Sequence, residues 1–520
     1  MTTEHLFQYR HKVKTPKEVR AIIGSVPRKR KAIMCHGVFD IVHPGHMRHM
    51  LYAKSKGDIL IVSLTADHHI LKANMRPYVP EQLRAINLAA FEMVDHVVID
   101  GNATPIENLQ IIQPDYFAKG YEYTTDRNLP KSTQEEKNTV SAYGGEMIFT
   151  PGDIVYSSSQ IIEHSPPNLA NEKLLMLMDV ENVSFNDLRA ACLNLEGTRV
   201  HLVGDTIVDS FTRCSMIGGM TKTPTMSVRF EEKENFSGGA AIVAKHMQAA
   251  GARVTFTTVL GKDDLGRMVN EDLKKSGIKC DAVIDPTRPT TNKNVIVVDN
   301  YRLLKVDTLD NREISDDILT TFLQKISGTA ADLTIFSDFR HGIFNAQTIP
   351  PLTKAIPDGQ FKAADSQVAS RWGNICDFQG FDLITPNERE ARFALGDQDT
   401  VVRPLGSELY RRTKCKTLML KLGQRGMISY RSPEASHGHF FFNLDTLAEN
   451  ITDPVGAGDA LLAYASLALK QTGNSVIASI LGTFAAGIEC EYDGNYPVSI
   501  NQVIERIDRT ERDAKFGANQ

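Results

Sequence analysis

Two stretches carry side chains whose types and spacing could do chemistry. The first, "CHGVFDIVHPGHMRHM", runs from Cys35 to Met50 and holds His36, His43, His46 and His49. A metal cluster would need three of these imidazoles to converge. Three-residue steps from His43 to His46 to His49 spread them around a helix instead, and no acidic or thiolate partner stands at a known zinc spacing. Phosphate chemistry fits better. The stretch lies where a strand gives way to a helix, Gly37 permits close approach of a ligand, and the unpaired N–H groups of a helix start favour negative charge. His43 and His46, held across a Pro-Gly turn, can donate hydrogen bonds to phosphate oxygens. Helix capping is the plainer alternative for the same pair. His36 would line the pocket, and His49 is expected on the helix surface.

The second stretch is "DPVGAGDALLAYASLAL", Asp453 to Leu469. Gly456, Ala457 and Gly458 open a long apolar-faced helix, so bare backbone N–H groups and the positive helix end point at one spot. Asp459 in the first turn is placed to take a proton from a hydroxyl while that anion hole holds a transferring phosphoryl group. Alone, such a motif reads more readily as a helix N-cap.

Both motifs need a sheet to hold them. Between residues 30 and 165, "KAIMCHGVF", "DILIVSL", "DHVVID" and "GEMIFT" read as strands. "HMRHMLYAKSKG", "PEQLRAINLAAFEMV" and "PIENLQIIQ" read as the helices between them. Alternation at this pace predicts a parallel sheet covered on both faces. "SPPNLANEKLLMLM" interrupts it, so the expected organisation is a first domain over 1–165, a linker over 166–180 and a second domain over 181–520. The second series starts at "TRVHLVGDTIVD". It includes an irregular stretch over 214–239, rich in Thr, Gly and β-formers, expected as a small flap of strands. The predicted fold class is α/β, with two doubly wound parallel-sheet domains, the second carrying a small β lid.

The bulk numbers agree with this division. A chain of 520 residues exceeds one ordinary core. Its net charge of −5 argues against a general binder of nucleic acid or anionic membranes. The basic run Arg28 to Lys31 is short and flanks a strand, as a solvated edge would. Seven cysteines, never as C-x-x-C, suit a reducing cytoplasm. With no signal-like N-terminus and no apolar run long enough to span a bilayer, the expected location is the cytoplasm.

The first motif resembles the nucleotidyltransferases marked by an H-x-G-H signature, cytidylyltransferases and related adenylyltransferases. The likeness extends through "LKANMRPYVPEQLRAINLAAFEMVDHVV", "DYFAKGYEY" and "DIVYSSSQII". It implies a Rossmann-like domain in which the loop Gly37, Val38, Phe39 and Asp40 borders the nucleotide. Lys72, Arg76 and Arg84 would then reach the phosphates, with Lys119 at a strand end. Ser157, Ser158 and Ser159 would form the closing turn, where relatives often have Ser-Thr-Thr. The implied reaction is attack of a sugar-phosphate oxygen on the α-phosphate of a nucleoside triphosphate, with pyrophosphate leaving, His43, His46, Lys72 and Arg84 offsetting charge and Mg²⁺ on the leaving group.

The second motif resembles the ribokinase-like (PfkB) carbohydrate kinases, through "GDTIVD", "SGGAA", "LGKDDLG", "SDF", "ITPNEREA", "KLGQRGM" and the Gly-Ala-Gly-Asp run in order. This implies Asp459 as the base and Gly456, Ala457 and Gly458 as the anion hole. Asn387 and Glu390 would organise Mg²⁺ and phosphates, and Lys421, Gly423 and Gly426 would lie near ATP. Asp205, Asp209, Gly238 and Gly239 would hold the sugar, and the flap would pair two copies into a homodimer.

Together the two halves resemble the bifunctional heptose-phosphate kinase and heptose 1-phosphate adenylyltransferase family, whose domains stand in the opposite order. The implied cofactor is Mg²⁺ with ATP and a second nucleoside triphosphate, ATP or CTP. Three substrate-facing segments depart from that family: Ile242 replaces an Asn, "SDFRHG" with His341 lacks a Lys, and "ADSQ" with Gln367 replaces "DPK". Arg340 and Arg371 are nearby in sequence. The departures keep open a CTP-dependent transferase fused to a kinase for another sugar or polyol. A chain in which one domain is inactive and regulatory is the remaining alternative.

Overall fold

The computed structural model describes residues 8–70, 77–120, 130–150, 170–218, 226–299, 301–368, 373–432, 440–449, 451–492 and 494–516. The chain divides into two compact units, Met1–Met176 with Arg512–Gln520, and Leu177–Glu511. Both are α/β.

In the first unit five strands, β1 (Ala32–Gly37), β2 (Ile59–Thr65), β3 (His96–Asp100), β4 (Tyr116–Gly120) and β5 (Glu146–Thr150), pair in parallel in the order β3-β2-β1-β4-β5. Strand residues alternate between two apolar layers. Ile33 and Cys35 pack into one, while Ala32 and Met34 pack into the other. Burial on both faces is what a run such as "AIMC" requires. The order reverses between β1 and β4, and open α/β sheets bind ligands in the crevice at such a reversal. Gly37 at the end of β1 and Lys119 at the end of β4 border it.

The second unit is built on β6 (Arg199–Gly204), β7 (Thr206–Gly218), β8 (Ser227–Gly239), β9 (Arg253–Thr257), β10 (Val259–Gly261), β11 (Lys279–Cys280) and β12 (Val283–Asp285). It continues with β13 (Asn292–Val298), β14 (Tyr301–Thr308), β15 (Leu333–Asp338), β16 (Phe361–Ser366), β17 (Leu383–Ile384), β18 (Thr417–Lys421), β19 (Met427–Arg431) and β20 (Phe441–Leu444). The main sheet runs β11-β9-β6-β15-β16-β17-β18-β19-β20, parallel as far as β18. Its order reverses between β6 and β15, beside Asp205 and Asp338. The flap is larger than the stretch 214–239 suggested. It is a sheet of order β14-β13-β7-β8, so half of it comes from residues 292–308. Among the described residues no helix is long and apolar enough to cross a membrane.

Candidate active sites

In the first unit the helix Pro44–Lys54 begins with Pro at its first position and His43 as N-cap, whose Nδ1 accepts the Gly45 N–H at 3.2 Å. That bond leaves the neutral ring's proton on Nε2, a donor. His43 does cap the helix, therefore, and the cap orients its donor nitrogen. The His46 ring stacks on it with centroids 3.9 Å apart, and Phe39 meets His46 edge-on at 5.2 Å. Phe39 is buried with φ 48°, and its ring lies where a side chain on Gly37 would start, 3.2 Å from a built Cβ. Gly37 thus makes room for Phe39, which fixes His46.

Several first-unit residues stand differently from expectation. Arg84 is buried, and its guanidinium donates to the carbonyls of Val79 (2.9 Å), Val38 (2.5 Å) and Thr65 (2.9 Å) and to Asp67 Oδ1 (2.6 Å). It knits the loops around the crevice instead of projecting toward a phosphate. Asp40 is also a tie: its carboxylate accepts the N–H groups of Tyr78 and Val79 at 2.9 and 2.8 Å. Lys119 pairs with Glu136 and donates to Thr133 at 3.2 Å. His49 is half-buried on its helix, and its Nδ1 bonds Thr150 Oγ1 at 2.8 Å on the end of β5. His36 is held by Ser63 (3.0 Å) and Thr65 (3.3 Å), and burial pushes its pKa down to about 4. Lys72, Arg76 and Ser157 to Ser159 lie outside the described residues.

In the second unit the helix Ala457–Thr472 opens on Gly456 at φ 94°, and no described side chain caps it. A Cβ at Gly456 would fall 2.5 Å from Glu489 Oε1, so glycine is required by its back side as well as by its φ. Glu489 is fully buried, and burial pushes its pKa up to about 8. Asp459 follows in the first turn. Burial, then the charge of Asp365, pushes its pKa up to about 8, while Lys421 pulls it down.

Lys421, at the end of β18, reaches Asp365 Oδ2 at 3.1 Å, and its ammonium would sit 3.2 Å from a Cβ on Gly458. Asn387 and Glu390 form a reciprocal capping box at the start of the helix Glu388–Leu395. Burial and then Asp365 push Glu390 up to about 7. Asn387, Lys421 and Gly423 line one cleft with Glu388, Arg389 and Arg392. Gly426 stands apart: at φ 78° with a Cβ position 2.1 Å from the Leu444 carbonyl, it shapes a turn.

At the other end of the unit, Asp205 is buried and accepts the N–H groups of Phe339 (3.0 Å) and His341 (3.2 Å). Burial, then the neighbouring Asp205, pushes Asp338 up to about 7. Asp209 accepts from Asn495 Nδ2 at 3.1 Å, and its Oδ2 lies 2.0 Å from a Cβ built on Gly238. Gly239, at φ 61°, leads into the helix Ala240–Ala249, within which Ile242 is buried. Arg340 donates to the Phe344 carbonyl at 3.0 Å and sits 3.6 Å from Asp338. Arg371 lies outside the described residues. Asp365, Asp338 and Glu489 were not assigned from sequence. Asp365 and Asp338 end strands at the crevice of the sheet, a signal that position in the sheet supplies.

A family model described as pfkB family carbohydrate kinase matches residues 198–499, more than half of the chain. The chain belongs to the pfkB carbohydrate kinases. A second model, cytidylyltransferase-like, matches residues 34–164 ahead of the pfkB-family unit. The "Bifunctional protein HldE" of a Nitratiruptor species is 26% identical over 61% of this chain and 66% of its own length. That of Desulfatibacillum aliphaticivorans is 25% identical over 60% of this chain and 62% of its own. The chain thus spans just under two thirds of these relatives. A further "Bifunctional protein HldE", from Helicobacter pylori, is 36% identical over 26% of this chain and 27% of its own length. Among solved structures, phosphofructokinase-2 from Escherichia coli in complex with fructose-6-phosphate aligns at TM-score 0.50 and 15% identity. The alignment covers 61% of this chain and 100% of that one, a likeness of fold to the pfkB-family unit.

Proposed function

We propose that the chain is a bifunctional enzyme of nucleotide-sugar synthesis. One unit would phosphorylate a sugar or sugar phosphate from ATP, and the other would transfer a nucleotidyl group to a sugar 1-phosphate. The observation that carries the kinase half is Asp459, a half-buried carboxyl poised near neutral pH in the uncapped first turn behind Gly456, Ala457 and Gly458. Asp459 takes the proton of a sugar hydroxyl as that oxygen attacks the γ-phosphorus. The backbone N–H groups of the turn hold the transferring phosphoryl group, and Lys421 balances charge on its oxygens. Asp205, Asp209 and the Gly238–Gly239 turn hold the sugar.

In the transferase half, His43 and His46 offset charge as a sugar-phosphate oxygen attacks the α-phosphorus and pyrophosphate leaves. Lys72 and Arg76 would join them from their place in the motif, with Ser157 to Ser159 closing the site. Arg84 and Asp40 act as positioning residues through the loops they tie, and Lys119 through Glu136.

Mg²⁺ suits the kinase residues. Asp365, Glu390 and Asp459 all act on the single Lys421, a set of carboxyls that a divalent cation would draw into their charged forms. No cluster of three ligating side chains stands ready among the described residues, so the ion would arrive on the nucleotide. The finer reading, with heptose substrates and ATP in both halves, draws support from the HldE relatives. Ile242, His341 and Gln367 favour a second reading, with CTP in the transferase and another sugar in the kinase. The lid would pair two copies in the cytoplasm.

Mass spectrometry of products from the purified chain, given mixed nucleoside triphosphates and a panel of sugars and sugar phosphates, tests both halves. A sugar phosphate and a nucleotide-linked sugar are expected. No pyrophosphate from any triphosphate would overturn the transferase half, and no sugar-dependent ADP the kinase half.

A further inference from the structure

The stretch that follows the helix Ser475–Glu489 is pinned at several points. The Cys490 carbonyl accepts the N–H groups of Thr452 (2.7 Å) and Asp453 (3.2 Å), just ahead of the anion-hole turn. The Tyr496 N–H donates to Glu489 Oε1 at 3.3 Å, on the carboxyl that stands behind Gly456. Val498 is held from two sides. Its N–H donates to His246 Nδ1 at 3.2 Å, on the helix that follows Gly239. Its carbonyl accepts the Tyr464 hydroxyl at 2.9 Å, on the helix that opens at Gly456. His246 and Tyr464 are fully buried, so both anchors lie in the core.

From this frame Asn495 reaches β7. Its Nδ2 donates to Asp209 Oδ2 at 3.1 Å and lies 3.0 Å from a Cβ built on Gly238. Asp209 Oδ2 is thus confined between Asn495 and the bare Cα of Gly238. Among the described residues Asp209 Oδ1 makes no hydrogen bond, and Asn495 makes no other side-chain one. The residue type matters. An ionised carboxylate only accepts, so an amide can hold it without neutralising it. A cation there would saturate the carboxylate, and a second carboxylate would repel it. The two residues stand 286 apart in the chain, and no motif joins them.

We propose that Asn495 is a positioning residue of the kinase site, which fixes the Asp209 carboxylate so that its Oδ1 meets a sugar hydroxyl. The inference rests on the kinase reading of this unit and adds the residue that aims its sugar-holding carboxylate. Because core anchors hold the stretch that carries Asn495, the aim is set before the sugar arrives and costs little ordering on binding.

Kinetics of the full-length chain test this, with sugar-dependent ADP read from a panel of fructose 6-phosphate, sedoheptulose 7-phosphate, fructose and ribose. Asn495→Ser, too short to reach Asp209, should raise the sugar KM about tenfold while the KM for ATP and the melting temperature hold. Asn495→Asp separates aiming from packing. Burial already pushes Asp209 above the ordinary carboxylate range, so at about pH 5.5 one proton shared by the facing carboxyls restores the bond. At about pH 8.5 the two repel. The sugar KM of this variant should lie within about threefold of the unaltered chain's at the lower pH and exceed it at least about tenfold at the higher. Lys293, Lys305 and Asp307 act on Asp209 in both proteins, so the ratio isolates position 495. An unchanged sugar KM in Asn495→Ser, or a ratio for Asn495→Asp that ignores pH, overturns the inference and leaves the kinase reading standing. A lower melting temperature with both KM values raised together marks a structural tie and also overturns it. No ADP from the unaltered chain with any sugar of the panel removes the kinase reading, and the inference with it.

Discussion

Replacing Asp459 by Asn keeps the shape of the side chain and removes its charge. In the folded chain this carboxyl is pushed from an ordinary 3.8 up to about 8, chiefly by burial and then by Asp365. A native pKa above the unfolded one means that folding costs most where the unfolded carboxylate is ionised. The penalty is absent below pH 3.8, grows as pH rises and levels off above about 8. Four units at about 1.36 kcal/mol each set a ceiling of about 5 kcal/mol. Asp365, Glu390 and Lys421 share the site and relax when one charge is removed, so roughly half of that, about 2–3 kcal/mol, is the expected gain. Asp459→Asn should raise the melting temperature of the kinase unit by roughly 3–5 °C at pH 8–9 and by much less at pH 5. Its sugar-dependent ADP formation should fall by about 100-fold or more. Thermal unfolding of the two proteins across this pH range, alongside a coupled ADP assay, makes the comparison. A gain equal at pH 5 and pH 9, or a destabilised variant, would refute the electrostatic account of this site.

Arg84→Leu should cost about 3–5 kcal/mol, because it strands three carbonyls and Asp67 in a buried setting; thermal unfolding should show the first unit melting earlier, and Arg84→Lys should not restore it. His46→Ala should lower pyrophosphate release by about 100-fold with kinase turnover unchanged. Gly238→Ala puts a methyl group where Asp209 Oδ2 now lies, 2.0 Å away; it should raise the sugar KM about tenfold while the KM for ATP holds, read in the same ADP assay.

What was legible in the sequence was local. Both phosphate-handling motifs are short strand–turn–helix runs, so the residues that define them are also the residues that shape them. His43 caps its own helix, and Asn387 with Glu390 caps another. What was not legible depended on direction or on distance along the chain. Nothing in "PEQLRAINLAA" says that Arg84 turns inward to bond Val38 and Thr65. Lys119 reads only as a lysine at a strand end until Glu136, on a later helix, is folded against it. The flap stretch gave half of the lid, and the other half, β13 and β14, joins through register pairs between residues about eighty apart. Glu489 sits behind Gly456 only because two consecutive helices bring it there.

The surplus of carboxylates around Lys421 has a consequence for energetics in solution. With Glu390 near 7 and Asp459 near 8, the resting kinase site carries part of its negative charge as bound protons at neutral pH. On the proposed reading, a magnesium nucleotide entering this site drives those protons off. Its heat of binding then depends on the ionisation enthalpy of the buffer, and its apparent affinity climbs as the medium becomes more alkaline. On that reading the carboxyls around Lys421 also act as a proton reservoir, through which the acidity of the surroundings would set how readily the site takes up its nucleotide.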